Sequence, residues 1–194
     1  MQMSLAVAAT LSILPAAMAA DGFRGVVTAG VTHGGDDWQV ATASDGKPLQ
    51  IRGGGRFEVG GGVLWQSAQY PVQASLVANY HVDPRAGANT SAKFTRVPID
   101  AMVYYTGLQT VRFGVGLSYI VAPTARVTID GRERDVKFKN GNGSAFEIGY
   151  RIAPDVWTSL RLSSAKFKPK AAGSAQGAQE ADVSHLSVNV AYVF

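Results

Sequence analysis

The chain of 194 residues contains 46% hydrophobic and only 16% charged residues, and its net charge is +4. A charge this small does not favour a nucleic-acid-binding protein, whereas the length suits one domain with a single core. The absence of cysteine excludes disulfide bonds as a source of stability. No stretch approaches the roughly 20 consecutive apolar residues that a membrane-spanning helix needs, so any membrane insertion must use strands.

Residues 1–20 have the features of a secretory signal peptide. An apolar run from Leu5 to Leu14 precedes Ala17-Met18-Ala19, which places small residues at both positions that a signal peptidase recognises. We therefore expect residues 1–20 to be cleaved and residues 21–194 to form one exported domain. Export makes a nucleic-acid partner still less expected.

Eight segments of the exported part alternate between apolar and polar residues with the two-residue period of a β-strand. Each segment has about the length that a tilted membrane strand requires. The 22 glycines and the scarcity of long helical patterns agree with a chain of many strands and turns. The predicted strands comprise residues 23–32, 56–66, 72–82, 95–106, 111–121, 145–152, 156–164 and 185–194. An all-β fold is therefore expected.

The lengths of the predicted connections alternate strictly between long and short. The long connections are residues 33–55, 83–94, 122–144 and 165–184, and the short ones are residues 67–71, 107–110 and 153–155. Membrane barrels have this pattern because their turns on one side are tight and their loops on the other side are long. The sequence thus predicts an eight-stranded antiparallel up-and-down transmembrane barrel, with both chain ends on the side of the tight turns.

The last predicted strand has an apolar face that continues to the final residue. Leu186, Val188, Val190, Tyr192 and Phe194 all lie on this face. Such an edge needs a partner strand, because an exposed apolar edge would promote aggregation. Its aromatic ending resembles the terminal signal that the barrel assembly machinery recognises in bacterial outer-membrane barrels. The resemblance implies that Tyr192 and Phe194 act as an assembly signal.

Aromatic residues lie near both ends of the predicted strands, as in the two interfacial girdles of membrane barrels. One set comprises Trp65, Tyr105, Phe113, Tyr150 and Phe194, and the other comprises Phe57, Tyr80, Tyr119 and Phe146. With these features, the whole exported part resembles the small eight-stranded outer-membrane proteins: the OmpX/Ail group, the membrane domain of OmpA, and the OmpW-like and opacity-type barrels. The resemblance implies a monomer in the bacterial outer membrane. It also implies outer-membrane lipid, lipopolysaccharide and the barrel assembly machinery as partners.

The opposite strand faces carry charged residues that would point into the barrel. An eight-stranded barrel is only wide enough for side chains to fill it, so these groups must lie close together and pair. The predicted interior ionic network comprises Arg56, Glu58, Arg96, Asp100, Arg112, Glu147, Arg151 and Arg161. By position along the strands, Glu147 is expected toward the long loops, whereas Arg24, Arg112 and Arg151 are expected near the tight turns without an acid of their own. Asp155, Asp21 or the terminal carboxylate could supply that acid, or water could remain there. We predict that salt bridges close the interior of the barrel. The alternative is a narrow channel that prefers anions.

The third long connection contains its own strand pattern. Residues 127–129 and 136–138 flank Asp130-Gly131, which predicts a hairpin that protrudes beyond the membrane. A free hairpin edge could capture another protein by strand addition, and the alternative is a solvated loop. Basic residues in this connection and in residues 165–184 would suit a surface of phosphorylated lipopolysaccharide.

We find little sign of catalysis. His185-Leu186-Ser187 has the His-x-Ser spacing that resembles the catalytic pair of the lipid A 3-O-deacylase family, but no acid follows it and both side chains are expected to point inward. We predict no catalytic residues, no cofactor and no metal motif. The predicted function is therefore an envelope-stabilising or surface-interaction role. The alternatives are a narrow pore or conduit for small or apolar molecules and a lipid A-modifying enzyme.

Overall fold

A computed structural model describes residues 22–42, 48–87, 90–129, 131–168 and 181–194, and their regular structure consists of strands. Among these residues, no helix is long and apolar enough to cross a membrane. The predicted signal peptide, residues 1–20, lies outside the described residues.

Twelve strands occur in the described part of the chain. They are β1 (Phe23–Gly34), β2 (Asp37–Thr42), β3 (Pro48–Arg52), β4 (Phe57–Gln66), β5 (Val72–Gly87), β6 (Thr90–Tyr105), β7 (Val111–Ile129), β8 (Arg132–Lys137), β9 (Gly141–Ala153), β10 (Val156–Phe167), β11 (Ala181–Asp182) and β12 (His185–Val193).

Eight of these strands close into a barrel. Antiparallel pairing runs from β1 through β4, β5, β6, β7, β9, β10 and β12, and β12 pairs again with β1. The closing pair joins Val26 to Val193 and continues to Gly34 and His185. The predicted eight-stranded antiparallel up-and-down barrel is therefore confirmed. We call the end near Gly22 and Phe194 the terminal end, and the opposite end the loop end.

Apolar side chains cover the outside of the barrel between two sets of aromatic rings. Tyr105, Tyr150 and Phe194 are exposed near the terminal end, whereas Phe57 and Tyr119 are exposed nearer the loop end. The apolar side chains between them include Val59, Leu76, Val115, Leu117, Leu160 and Val188, all of which are exposed. A surface this apolar suits lipid rather than water. The outward band and its girdles agree with the faces expected from the alternation.

All four predicted long loops contain strand, and in the fourth β10 extends to Phe167 and pairs with β11. β5 and β6 extend to Gly87 and Thr90, so most of residues 83–94 forms a paired hairpin rather than an open loop. β2 and β3 pair with each other within residues 33–55. β7 extends to Ile129, which pairs with Arg132 of β8 and forms the predicted protruding hairpin. In these segments the strands continue to pair beyond the apolar band of the barrel. Their outward residues are polar there, so the sequence does not show the apolar alternation from which the strands were predicted.

The inside of the barrel has an apolar cluster at each end. The loop-end cluster comprises Ala92, Phe94, Ile120, Ala125, Val127, Phe138, Ala165, Phe167 and Val183. The terminal-end cluster comprises Val26, Leu64, Val77, Trp157, Ala191 and Val193. Along β10, inward Arg161 lies between Trp157 of one cluster and Phe167 of the other. The charged residues of the interior are therefore enclosed between two apolar layers.

Gly62 lies where two backbones approach closely. A Cβ atom at this position would stand 2.0 Å from the carbonyl oxygen of Leu76 and 2.7 Å from the Cα atom of Val77. At neighbouring Gly61, on the other face, the nearest atom to such a Cβ would be 3.7 Å away. Only one of these two adjacent glycines is therefore required by packing.

We expect Gly62→Ala to destabilise the barrel by about 1–3 kcal/mol, because backbone atoms would have to move to admit the methyl group. Gly61→Ala is the matched control and should stay within about 0.5 kcal/mol of the wild type. Urea-induced unfolding in phospholipid vesicles measures both values. Equal effects of the two substitutions would contradict the close approach at Gly62.

Candidate functional site

The middle of the barrel contains a cluster of four charged residues, Asp100, Arg112, Glu147 and Arg161, which we call the central ionic cluster. Arg161 donates to Glu147 Oε2 at 2.7 and 2.8 Å and to Asp100 Oδ2 at 3.0 Å. Arg112 donates to Glu147 Oε1 at 3.1 Å. Glu147 therefore joins two arginines, one on each side, and its side chain is only 1% exposed.

Neutral polar groups complete the surroundings of Asp100. Asn79 donates to Asp100 Oδ2 at 2.9 Å, and the Ser118 hydroxyl donates to Oδ1. With the bond from Arg161, both carboxylate oxygens of Asp100 have partners. A buried charge is stable only when it is paired and hydrogen-bonded, and Asp100 meets both conditions.

Aromatic rings hold the arginines nearest the terminal end. The Arg112 guanidinium carbon lies 4.2 Å from the centre of the Tyr104 ring and 4.5 Å from the centre of the Trp157 ring. Arg151 lies on Trp157 at 4.7 Å. These distances are typical of cation–π contacts, which favour a cation where water is scarce. The stacked side chains fill the barrel just inside its terminal end.

A second cluster lies toward the loop end and consists of Glu58, His81, Arg96 and His185, which we call the histidine cluster. Glu58 Oε2 pairs with His81 Nε2, and Arg96 Nη2 lies 3.2 Å from Nδ1 of both His81 and His185. Glu58, His81 and Arg96 are buried, whereas His185 is partly exposed. The barrel brings together residues of β4, β5, β6 and β12 here.

Arg96 also binds the chain segment that leads from β3 into β4. Its Nη1 donates to the carbonyl of Gly53 at 2.9 Å, and its Nη2 donates to the carbonyl of Gly54 at 3.0 Å. Gly54 packs so closely on Gly34 that a Cβ atom would lie 2.4 Å from the Gly34 carbonyl oxygen. The buried glycine segment therefore lies in the loop end of the barrel, held by the histidine cluster.

The structure places six of the eight predicted network residues inside the barrel. These are Glu58, Arg96, Asp100, Arg112, Glu147 and Arg161. Arg56 is exposed just before β4, and Arg151 is exposed at the terminal end, so neither belongs to the two buried clusters. Arg56 precedes the barrel strand, whereas Arg151 lies on the inward Trp157 ring but at the exposed rim of the terminal end. Alternation alone does not reveal how far an inward residue is buried.

The expected depth of Glu147 was wrong. The sequence suggested a position toward the loop end and left Arg112 without an acid, but Glu147 is the partner of Arg112. Arg24 finds Asp155 at 2.6 Å, as the turn had suggested, and both side chains are more than 40% exposed. Depth depends on the stagger between strands, which alternation does not reveal.

The sequence analysis did not foresee several of the interior contacts. It gave His81 no role, considered His185 only as part of the His-x-Ser pattern, and did not assign Tyr104 and Trp157 to the interior. Their positions in the strand alternation do indicate inward faces. What the sequence lacks is the register that brings residues of distant strands to the same height.

The residues of the His-x-Ser pattern lie inside the barrel. Ser187 is 1% exposed and its hydroxyl accepts a hydrogen bond from Asn189 at 3.0 Å, while His185 contacts Arg96. Both therefore point away from lipid. Tyr192 and Phe194, the predicted assembly signal, are half-exposed on the outside and stack with their ring centres 6.1 Å apart.

Two internal cavities border the charged clusters. Each has a volume of about 20 Å³, and both are lined by Glu58 and Arg161. A space of this size admits about one water molecule. In the part of the chain that the structure describes, these cavities do not amount to a continuous channel.

Basic residues are exposed beyond the girdle of aromatic residues nearer the loop end. Lys137, Lys139, Lys166 and Lys168 form what we call the lysine patch. The backbone amide of Lys139 donates to the carbonyl of Lys168 at 2.9 Å, so these two residues are neighbours on adjoining segments. Buried Phe138 and Phe167 alternate with the lysines, which therefore point outward.

The protruding hairpin carries its own exposed ion pairs. Arg126 Nε lies 2.9 Å from Glu133 Oε1 and 2.9 Å from Asp135 Oδ1. The hydrogen bond from Arg126 holds the pKa of Asp135 below its usual value. Exposed pairs of this kind contribute little to stability, so they serve mainly to keep the hairpin charged and soluble.

Comparison with known proteins identifies the fold. No protein-family model matches the sequence, and no curated protein is significantly similar to it. Neisserial surface protein A has 15% identity and a TM-score of 0.52, with coverage of 89% of this chain and 97% of that chain. Ail, the attachment invasion locus protein of Yersinia pestis, has 9% identity and a TM-score of 0.55, with coverage of 89% and 99%.

A second structure of Ail, in complex with the heparin analogue sucrose octasulfate, has a TM-score of 0.57 at 8% identity, with coverage of 89% of this chain and 99% of that chain. Identities this low establish the fold alone. The protein has the fold of the small bacterial outer-membrane barrels, and its outward apolar band fits that membrane. In a barrel of this fold we expect the terminal end, with its tight turns, to face the periplasm and the loop end to face outward from the cell.

We expect Glu147→Gln to destabilise the barrel by about 3–5 kcal/mol, because two buried arginines would lose the acid that they share. Asp155→Asn is the matched control. It removes an acid from an exposed pair with Arg24, so its cost should be at most about 1 kcal/mol. Urea-induced unfolding in vesicles compares the two. A small effect of Glu147→Gln would show that the central ionic cluster is not a stabilising unit.

Proposed function

We propose that the protein is a closed outer-membrane barrel that stabilises the envelope and contacts lipopolysaccharide through its outer surface. The filled interior is the observation that carries this proposal. The central ionic cluster is enclosed between two apolar layers, and the remaining cavities admit about one water molecule each. Neither of these two cavities has room for a solute larger than water.

The geometry does not favour the pore alternative. Arginines that line a conducting path should face water, but Arg96 and Arg112 are at most 4% exposed. Both are held by hydrogen bonds or ring contacts to neighbouring groups. Opening the bore would expose several buried charged groups at once and break their shared partners, which is costly.

Contact with lipopolysaccharide is supported by the height and direction of the lysine patch. Phe146, in the aromatic girdle nearer the loop end, pairs with Leu162 of β10. Lys166 and Lys168 follow Leu162 by four and six residues on the same side of the barrel. Outward lysines just beyond the apolar band are at the level of lipid phosphates. Ammonium groups bind phosphate through charge-assisted hydrogen bonds.

The Ail structure with sucrose octasulfate adds support by analogy, because that ligand is a polyanionic saccharide bound to a barrel of the same fold. The edge of β8 is less suited to capture another protein. Arg132, Glu133, Arg134 and Asp135 follow one another along it, and charged edge strands resist strand addition. The proposal therefore places partner contact on the basic surface rather than on the hairpin edge.

The purified protein should give no steady single-channel current in a planar lipid bilayer, because its interior is filled. Folding is verified on the same sample by a gel shift on boiling, so that an absence of current can be attributed to an intact barrel. Reproducible current steps that prefer anions would refute the closed interior and favour the pore.

The double variant Lys139→Gln/Lys168→Gln should bind lipopolysaccharide about 30-fold more weakly, since each basic residue near an anionic lipid surface contributes about 1 kcal/mol. Arg132→Gln/Arg134→Gln removes the same charge farther from the membrane and should have a smaller effect. Titration of labelled lipopolysaccharide into the folded protein at low salt measures both. Equal losses would indicate general attraction by net charge and contradict a local contact.

A further inference from the structure

We propose that Glu58, His81 and His185 form a binding site for a divalent transition-metal ion, with zinc as the ion of best chemical fit. One ligand atom of each side chain lies within 4.8 Å of the other two. The three residues come from β4, β5 and β12, which closure of the barrel brings together. This site is independent of the lysine patch and of lipopolysaccharide binding.

The donor set matches zinc. Two imidazoles and one carboxylate are the protein ligands of many zinc sites in which a fourth position stays open. Zinc bonds of about 2.0–2.1 Å place neighbouring ligand atoms roughly 3.4 Å apart in a tetrahedron. No two of these ligand atoms would have to approach by more than about 1.4 Å, and Glu58 Oε2 and His81 Nε2, which are already in contact, would have to move apart. Rotation of the side chains can supply both movements.

A buried oxygen of Glu58 also points to a ligand. Oε2 pairs with His81, but Oε1 is buried and makes no hydrogen bond within the described structure. An unsatisfied carboxylate oxygen is unusual in a folded protein and calls for an explanation. The adjacent cavity is lined by Glu58, His81 and His185 together, so a small ion has space beside all three side chains.

The backbone orients His185 for metal binding. Its Nδ1 atom lies 3.0 Å from the carbonyl oxygen of Val183 and 3.2 Å from Arg96 Nη2. One ring nitrogen cannot donate to the carbonyl and accept from the guanidinium at the same time. When Nδ1 donates to Val183, the lone pair of Nε2 is available, and this is how metal-binding histidines are commonly held.

Arg96 opposes the metal and limits its affinity. Its Nη2 atom lies 3.2 Å from Nδ1 of both histidines, so a bound ion would have a cation for a neighbour. When the histidines bind the metal, the Arg96 guanidinium can still donate hydrogen bonds to the carbonyls of Gly53 and Gly54. Metal and Arg96 thus compete for the imidazoles. The bound ion would tie the closing strand β12 to β4 and β5.

The test uses folded mature protein in detergent, freed of metal with a chelator and dialysed against zinc chloride. We expect one zinc ion per chain and a higher unfolding temperature in its presence, since an ion that binds only the folded state stabilises it. Glu58→Gln and His185→Asn should each weaken binding by about tenfold or more. The matched control is His33→Asn, which replaces the remaining histidine and should bind as the wild type does.

Zinc bound to the wild type and His33→Asn, but lost from the two site variants, would support the site. The absence of bound zinc in the wild type, or unchanged binding by His185→Asn, would overturn it. Gel mobility of unheated samples establishes that each variant is folded. If a variant does not fold, X-ray absorption of the zinc-loaded wild type decides, because two imidazoles and a carboxylate support the proposal and any other ligand set refutes it.

Discussion

The pairing of β1 with β12 is the constraint on which the rest of the molecule depends. A closed sheet of eight strands leaves no free edge in the membrane and has an interior only as wide as the side chains that fill it. Every inward charge is therefore placed within reach of inward charges from other strands. Asp100, Glu147 and Arg161 come from three strands and still form one continuous set of ion pairs.

The interior combines two solutions to the problem of filling a narrow bore. Apolar residues close both ends, where the loop-end cluster contains Phe94, Phe138 and Phe167 and the terminal end contains Trp157. Charged residues occupy the middle, where each removed partner would leave a buried charge. Such a network need not increase stability over an apolar core, but we expect it to favour one register of the strands, because a slipped strand would leave buried charges unpaired. The arginines and acids thus help to specify the barrel as well as to fill it.

Most of the fold was predictable because alternation is a local property of each strand. It located all eight barrel strands, their faces and both aromatic girdles. The site was only partly predictable, because contacts inside a barrel depend on stagger, which is a property of the whole sheet. Glu147 shows this most clearly, since its face was right and its depth was wrong. The meeting of Glu58, His81 and His185 follows from the same register and has no signature in their spacing along the chain.

The two faces of β10 show how one strand serves separate roles at different heights. Inside, Arg161 binds Asp100 and Glu147 in the middle of the bore, and Phe167 joins the apolar layer at the loop end. Outside, Leu162 lies in the apolar band and Lys166 is exposed beyond it. Because the inward residues fill most of the bore, we expect a large partner to contact the outward residues. The lysines beyond the membrane band are therefore where the barrel is best equipped to meet a charged partner.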